Sequence, residues 1–230
     1  MNTFMSDQTF QEGTGLSRVE YAYQKIKRNI ATNIFPSGFQ ILEPDLAVHL
    51  GVSRTPVREA LIRLEAERIV QLIPRRGMRV LPIGESDIAE LTEFLFVMQS
   101  AVVARISEEG FVANFSKLEA QLALVKNNLY SSPADWVSAV HRLHIVFVEL
   151  AQNSRLTYAV EGALDQLRRA DFLLTAFVDN RESLFLILEN IFLQLKRREF
   201  DGALESFAAY RSQIDQLFES AKEKYRMAEL

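Results

Sequence analysis

The apolar residues near the start of the chain recur at helical spacing between turn-forming residues. Ser17 and Glu20 are spaced as the serine and glutamate of a capping box. Behind them the apolar side chains repeat every three or four positions: Val19, Tyr23, Ile26 and Ile30. The pattern predicts a first helix from about residue 18 to about residue 33, because Phe35-Pro36-Ser37-Gly38 then breaks the repeat.

The next segment alternates between short helical and short extended patterns. Residues 42–64 describe two short helices that cross at a tight turn, where Ala47 permits close approach and Gly51 supplies the turn. Residues 69–81 hold two apolar runs on either side of Pro74-Arg75-Arg76-Gly77, which predicts a hairpin. Three helices followed by a two-stranded hairpin indicate a winged helix-turn-helix.

After a short linker at residues 82–84, the pattern is helical throughout. Apolar stripes at three- and four-residue spacing alternate with polar or turn-forming residues, which predicts about six helices in an antiparallel bundle. The expected fold is therefore mostly α. The expected divisions are a mobile tail over residues 1–16, a winged helix-turn-helix over residues 17–82 and a helical domain over residues 83–225.

The composition is typical of a globular protein and excludes several classes of site. Of the 230 residues, 48% are hydrophobic and 24% are charged, which excludes a disordered chain. No apolar run is long enough to cross a bilayer and no secretory pattern is visible, so we expect a cytoplasmic protein with no membrane partner. The absence of cysteine excludes disulfides, iron–sulfur clusters, thiolate zinc sites and cysteine nucleophiles.

The charge is distributed unevenly along the chain. The net charge of −4 weighs against nucleic acid as a partner, but residues 17–82 hold eleven Lys and Arg against six Asp and Glu. Residues 83–230 hold fifteen Lys and Arg against twenty-two Asp and Glu. A basic segment beside an acidic one favours a module that binds a polyanion, with ordinary surface variation as the alternative.

Candidate DNA contacts lie at two places in the basic segment. The second helix of a helix-turn-helix enters the major groove by its N-terminal turn, where Arg54, Thr55 and Arg58 lie off the apolar stripe. An arginine fork suits O6 and N7 of guanine, and threonine can reach a phosphate or a thymine methyl group. The hairpin tip, Arg75-Arg76-Gly77, adds two cations and a backbone that can approach a sugar–phosphate strand. A solvated basic face or a protein-docking surface remains the alternative.

Three stretches of this segment resemble the signature of the GntR-type bacterial transcription regulators. They are residues 50–61 (LGVSRTPVREAL), Arg63-Leu64-Glu65 and residues 74–77 (PRRG). The helical part, with His144 nine residues before Asn153, resembles the FCD ligand-sensing domain of the FadR subfamily. The resemblance implies a homodimer that binds a pseudo-palindromic operator in double-stranded DNA. It also implies that the helical domain supports dimerisation and binds a small metabolite that controls operator binding.

The chain departs from the metal-binding relatives inside the bundle. Those relatives carry an Asp and three His that bind a metal, and an arginine that takes the ligand carboxylate. The Asp position falls on Val140, two His positions fall on Leu188 and Tyr210, and the arginine position falls on Leu95. Only His144 survives, and one imidazole cannot hold a metal, so we expect neither metal nor cofactor.

The same five positions predict an apolar ligand site. They are Leu95, Val140, His144, Leu188 and Tyr210. An acyl chain or an aromatic ring would fill such a site, with His144 or Tyr210 holding its polar end, and a small acid would be disfavoured. A collapsed core with His144 as an ordinary buried histidine is the alternative, and His141 is expected to be peripheral.

Two further departures affect the DNA-binding part. Relatives usually have glycine where Arg68 stands, and a left-handed arginine would be strained, so the turn there is expected to differ. Many relatives also have an arginine where Pro44 stands, so one expected DNA contact is missing.

These observations predict a dimeric GntR-type transcription regulator, with repression as the expected effect, whose operator binding responds to a metabolite. The alternative is a regulator whose degenerate, ligand-free helical domain serves only dimerisation or protein interaction. An enzyme is not expected, because the sequence brings together only His144 and Tyr210 as convergent polar groups.

Overall fold

The computed structural model describes residues 16–108, 115–177 and 180–228. Within these ranges the chain forms nine α-helices and three short strands, the mostly α architecture that the sequence predicted. The chain divides after Ile83 into two compact units, called the N-terminal and C-terminal units below. The tail predicted for residues 1–16 lies, apart from Leu16, outside the described residues.

The N-terminal unit has the winged helix-turn-helix architecture. Its elements, in chain order, are α1 (Arg18–Ala31), β1 (Gln40–Ile41), α2 (Glu43–Leu50), α3 (Arg54–Ala66), β2 (Val70–Ile73) and β3 (Gly77–Val80). The serine of the expected capping box does cap α1, because Ser17 Oγ accepts a hydrogen bond from the Glu20 backbone N–H at 3.1 Å. The Glu20 carboxylate instead accepts bonds from Gln24 and Arg63.

The three strands form one antiparallel sheet with β3 in the centre. Ile41 of β1 pairs with Met78 of β3, and Ile73 of β2 pairs with Gly77. The sequence predicted the β2–β3 hairpin but not β1, because two residues are too few to show alternation. The sheet is therefore three-stranded within the described part of the chain.

The recognition helix α3 is fixed to α1 by burial and by one polar cluster. The side chains of Val57, Leu61 and Leu64 are fully buried in the core of this unit. Tyr23 Oη donates to the Glu67 carboxylate at 2.8 Å, and the Lys27 ammonium lies 2.9 Å from the same group. These contacts fix the C-terminal end of α3 against α1, and they therefore also fix the orientation of its N-terminal end.

The residues that end α2 and follow α3 are both left-handed. Gly51 caps α2 with φ +67°, as the sequence predicted for the turn residue. Arg68 adopts φ +58° after α3, and the Ile69 N–H donates to the Leu64 carbonyl at 3.0 Å. The expectation that this turn would differ is wrong: the helix end keeps the left-handed geometry, and arginine bears a strain of about 1–2 kcal/mol.

The C-terminal unit consists of the six helices that the sequence predicted. They are α4 (Glu85–Ser107), α5 (Ser116–Asn127), α6 (Pro133–Glu149), α7 (Ser154–Phe177), α8 (Arg181–Arg197) and α9 (Phe200–Ala228). Helix α6 packs against α4, α5 and α7. It is buried on nearly every side, as is typical of a helix at the centre of a bundle.

Candidate DNA-binding surface and helical-domain cavity

The N-terminal turns of α3 present the predicted base-reading residues to solvent. Arg54, Thr55 and Arg58 are all exposed. They lie beside the stripe formed by Val57 and Leu61, neither of which has any exposed surface. The 3.6-residue period of the helix thus separates a buried stripe, which fixes the helix, from a polar edge that can enter a groove.

The hairpin turn between β2 and β3 holds an arginine in a strained conformation. The Arg76 N–H donates to the Ile73 carbonyl at 2.9 Å, which closes a four-residue turn with Pro74 at its second position. Arg75 occupies the third position with φ +65°, where glycine or asparagine is favoured. The turn therefore displays an exposed guanidinium at a backbone position where arginine is disfavoured.

Gly77 has a structural reason to be glycine. Its φ is +83°, and a Cβ atom added there would lie 2.5 Å from the Ile41 carbonyl oxygen. The sequence assigned this glycine to a close approach of the DNA backbone. The geometry instead accounts for it by the close approach of β1, and the DNA contact stays a prediction.

The arginines of the two candidate DNA-binding sites lack counter-ions. In the part of the chain that the structure describes, Arg54, Arg58, Arg75 and Arg76 form no ion pair, whereas Arg63 lies 3.0 Å from the Glu20 carboxylate. The wing is tied to α3 because the Leu72 N–H donates to Glu65 Oε1 at 2.9 Å. Arg79 on β3 is also exposed and forms no ion pair with any described residue, so five uncompensated positive charges on connected elements form a surface suited to a phosphate backbone.

The C-terminal unit contains a cavity of about 70 Å³ that four of the five predicted ligand residues line: Leu95, Val140, His144 and Tyr210. The fifth residue, Leu188, lines a smaller and almost wholly apolar cavity of about 20 Å³. His144 and Phe207 border both cavities. Four of the five predicted positions therefore border one cavity and Leu188 borders another, and their role in ligand binding stays a prediction.

His144 is held by a neighbour that the sequence analysis missed. The Gln99 Nε2 atom donates to His144 Nδ1 at 2.8 Å, and both side chains are buried. Burial, and to a lesser extent the nearby His141, lowers the pKa of His144 from 6.5 to about 3. His144 is therefore neutral at physiological pH, with its proton on Nε2.

His141 is not peripheral. Only 2% of its surface is exposed, and its Nε2 atom lies 2.6 Å from Asp171 Oδ2 on the neighbouring helix α7. Its Nδ1 atom is buried and has no hydrogen-bond partner among the described residues. The expectation failed because α6 packs on several helices at once, so a residue beside one apolar stripe is still enclosed.

The larger cavity is therefore more polar than the sequence predicted. Gln99, His141 and Asp171 line it together with His144 and Tyr210, whereas only the last two were expected to converge. Burial, and then the charge of Asp171, raises the pKa of the Tyr210 hydroxyl, so the field of this carboxylate reaches across the cavity. No local pattern marks Asp171 in the sequence, because the same helix also carries Glu161 and Asp165.

Two other kinds of feature are absent from the part of the chain that the structure describes. The described residues contain no group of three or more His, Asp or Glu side chains arranged to hold a metal ion. None of their helices combines the length and apolarity required of a membrane span.

Together the three-helix unit, the wing and the unpaired arginines define a winged helix-turn-helix DNA-binding regulator. Residues 18–80 match the family described as "Bacterial regulatory proteins, gntR family". An HTH-type transcriptional regulator in the TAR-I ttuE-ttuC' intergenic region of Agrobacterium vitis is 32% identical over 141 residues, which cover 58% of this chain and 81% of that protein. The chain therefore belongs to the GntR family and is a DNA-binding transcriptional regulator of that type.

Two further comparisons extend the similarity. The gluconate operon transcriptional repressor of Bacillus subtilis is 32% identical over 120 residues, which cover 51% of this chain and 47% of that protein. The solved structure of E. coli McbR/YncC matches with a TM-score of 0.75 and 18% identity over 89% of this chain and 99% of that chain. At this identity the second similarity concerns the fold alone.

Proposed function

We propose that this chain is a transcriptional repressor that binds an operator as a homodimer and releases it when a small molecule occupies the C-terminal cavity. The observation that carries the DNA part is the group of exposed arginines on α3 and the wing, including Arg54, Arg58, Arg75 and Arg76, that form no ion pair with any described residue. Repression is supported by similarity to the gluconate operon repressor of Bacillus subtilis. A cytoplasmic location follows from the need to reach chromosomal DNA.

The proposed division of labour assigns base reading to α3 and backbone contact to the wing. Arg54, Thr55 and Arg58 would read base edges and nearby phosphates in the major groove. Arg75 and Arg76 would bind phosphates, with Gly77 shaping the strand that follows them. Because each half-site offers one set of these contacts, two protomers on a pseudo-palindrome would supply the affinity of the complex.

We assign the C-terminal unit to effector binding and dimerisation, as in an FCD-type domain. Its larger cavity has both apolar walls and several polar groups, which is the usual character of a small-molecule site. We also propose that this unit binds its ligand without converting it, since the relatives are described as transcriptional regulators.

The direct test uses operator DNA selected from a random duplex library with the full-length protein. Arg58→Ala should weaken binding by about 1–3 kcal/mol and relax discrimination at the base it reads. Arg76→Ala should weaken all sequences similarly and reduce the salt slope by about one. Arg68→Ala, the matched change at the other end of α3, should leave both quantities unchanged.

Unchanged affinity and selectivity in Arg58→Ala would remove α3 from the major groove. The dimer is tested separately by sedimentation of the full-length protein at micromolar concentration. A monomer that binds the selected operator with undiminished affinity would contradict the two-half-site mechanism.

A further inference from the structure

The larger cavity contains three hydrogen-bond acceptors with no donor among the described residues. Asp171 Oδ2 contacts His141, but Oδ1 has no partner among the described residues. The amide nitrogen of Gln99 is committed to His144, which leaves the amide oxygen of Gln99 as an acceptor. The Tyr210 hydroxyl likewise makes no hydrogen bond to any residue that the structure describes.

The charge around these acceptors is negative. Asp171 is the carboxylate that lines the cavity, and its field disfavours ionisation of Tyr210. Arg211 also borders the cavity, but its guanidinium lies 4.0 Å from Glu93 and 3.9 Å from Asp215. Because two carboxylates offset this cation, an anionic head group would meet the Asp171 carboxylate beside the His141 imidazole at the inner wall.

The rest of the cavity limits the body of a ligand. Apart from the polar groups its walls are mainly aliphatic and aromatic, including Trp136, Val137 and Leu164. His144 and Phe207 also border the smaller apolar cavity. The volumes, about 70 and 20 Å³, restrict the body to a few carbon atoms.

We infer that this cavity binds a small primary amine, with its ammonium group on Asp171, Gln99 and Tyr210 and its short aliphatic body against the apolar walls. An ammonium group has three donors and no acceptor, which matches three acceptors and a negative charge. The alkyl amine is protonated near pH 7, since its pKa resembles that of lysine. The inference rests on the effector site proposed above and names the class of molecule that the site takes.

The test compares three molecules with one carbon skeleton: 3-methylbutylamine, 3-methylbutan-1-ol and 3-methylbutanoate. Binding to the full-length protein is measured without DNA, by calorimetry and by the shift in unfolding temperature at millimolar ligand. The amine should raise the unfolding temperature and bind at least about tenfold more tightly than the acid. This ranking requires no variant, so it holds even if a cavity mutant fails to fold.

Two variants then assign the preference to one carboxylate. Asp171→Asn keeps the shape and an acceptor for His141 but removes the charge, so it should weaken amine binding about tenfold and leave the alcohol nearly unchanged. Asp165→Asn is the matched control, because Asp165 lies on the same helix with 26% of its side chain exposed and pairs with Arg168 outside the cavity. Asp165→Asn should change neither the affinity for the amine nor the affinity for the alcohol.

The inference is overturned if the acid binds as tightly as the amine, if Asp171→Asn binds the amine as well as the wild type, or if the amine produces no shift. None of these results bears on the proposed DNA contacts of α3, because DNA is absent from the assay. Conversely, failure of the Arg58 test would refute the proposed DNA contacts and leave the amine measurement standing.

Discussion

Replacing Arg75 by glycine should separate the stability of the wing from its affinity for DNA. Arg75 holds φ +65° at the third position of its turn, a conformation that costs an L-residue about 1–2 kcal/mol. Glycine removes this strain but adds about 0.5–1 kcal/mol of conformational entropy to the unfolded chain. The N-terminal unit of Arg75→Gly should therefore gain between about 0 and 1.5 kcal/mol in its free energy of unfolding.

The same change should weaken DNA binding, because Arg75 is exposed at the tip of the wing and forms no ion pair with any described residue. A phosphate contact contributes about 0.9 to the slope of log affinity against log salt. Over the interval from 1 M to 0.15 M salt this slope amounts to roughly fivefold in affinity. Binding of the selected operator by fluorescence anisotropy across salt concentrations measures the slope, and urea unfolding measures the stability.

Arg68→Gly is the control for this experiment. Arg68 is also exposed and left-handed, with φ +58°, but it lies at the C-terminal end of α3. It should show the gain in stability without the loss of affinity. Wild-type affinity and salt slope in Arg75→Gly would refute the phosphate contact, and a loss of stability in both variants would refute the strain argument.

The remaining predictions concern a close backbone approach and a buried imidazole. Gly77→Ala should lower the stability of the N-terminal unit by more than the roughly 1–2 kcal/mol of a left-handed alanine, since its Cβ would lie 2.5 Å from the Ile41 carbonyl oxygen. Gly38→Ala is the control for the backbone cost alone, because Gly38 has φ +76° and no atom lies within 4 Å of the added Cβ. Equal losses of stability in urea unfolding of the two variants would contradict the clash. The free energy of unfolding should fall with acidification, because the unfolded chain protonates His144 near pH 6.5 and the folded chain does so only near pH 3. The slope attributable to this group is about 1.4 kcal/mol per pH unit between roughly pH 6 and pH 4, and His144→Gln should remove it; an unchanged slope in that variant would show that other groups govern the acid response.

The sequence predicted those features that depend on periodicity and turn chemistry. The buried stripe of α3, the left-handed Gly51 and the six helices of the C-terminal unit all follow from local patterns that the structure shares. Strand β1 and the burial of His141 depend on which elements pack together, and neither is visible in local spacing. The pairing of His141 with Asp171 joins residues thirty positions apart, so no single helical repeat reveals it.

Arg68 illustrates a different kind of miss. The sequence identified the left-handed position correctly but assumed that strain would move the backbone. The observed hydrogen bond from the Ile69 N–H to the Leu64 carbonyl, together with the fully buried Leu64, fixes the chain on both sides of this residue. Tertiary packing worth several kcal/mol therefore overrides a local preference of about 1–2 kcal/mol.

The cavity itself argues against a collapsed core in the C-terminal unit. At about 24 cal/mol per Å³ of cavity, an unfilled volume of about 70 Å³ destabilises a protein by at most about 2 kcal/mol. The loss is smaller here because the cavity is partly open to solvent. The buried Nδ1 of His141, without a partner among the described residues, adds a further penalty of about 1–3 kcal/mol. A core that served only dimerisation would be stabilised by a larger side chain at Val140 and by an apolar residue at His141. The unpaired His141 nitrogen lines this cavity, together with three acceptors that have no donor among the described residues. A ligand that fills the cavity would therefore offset both destabilising contributions.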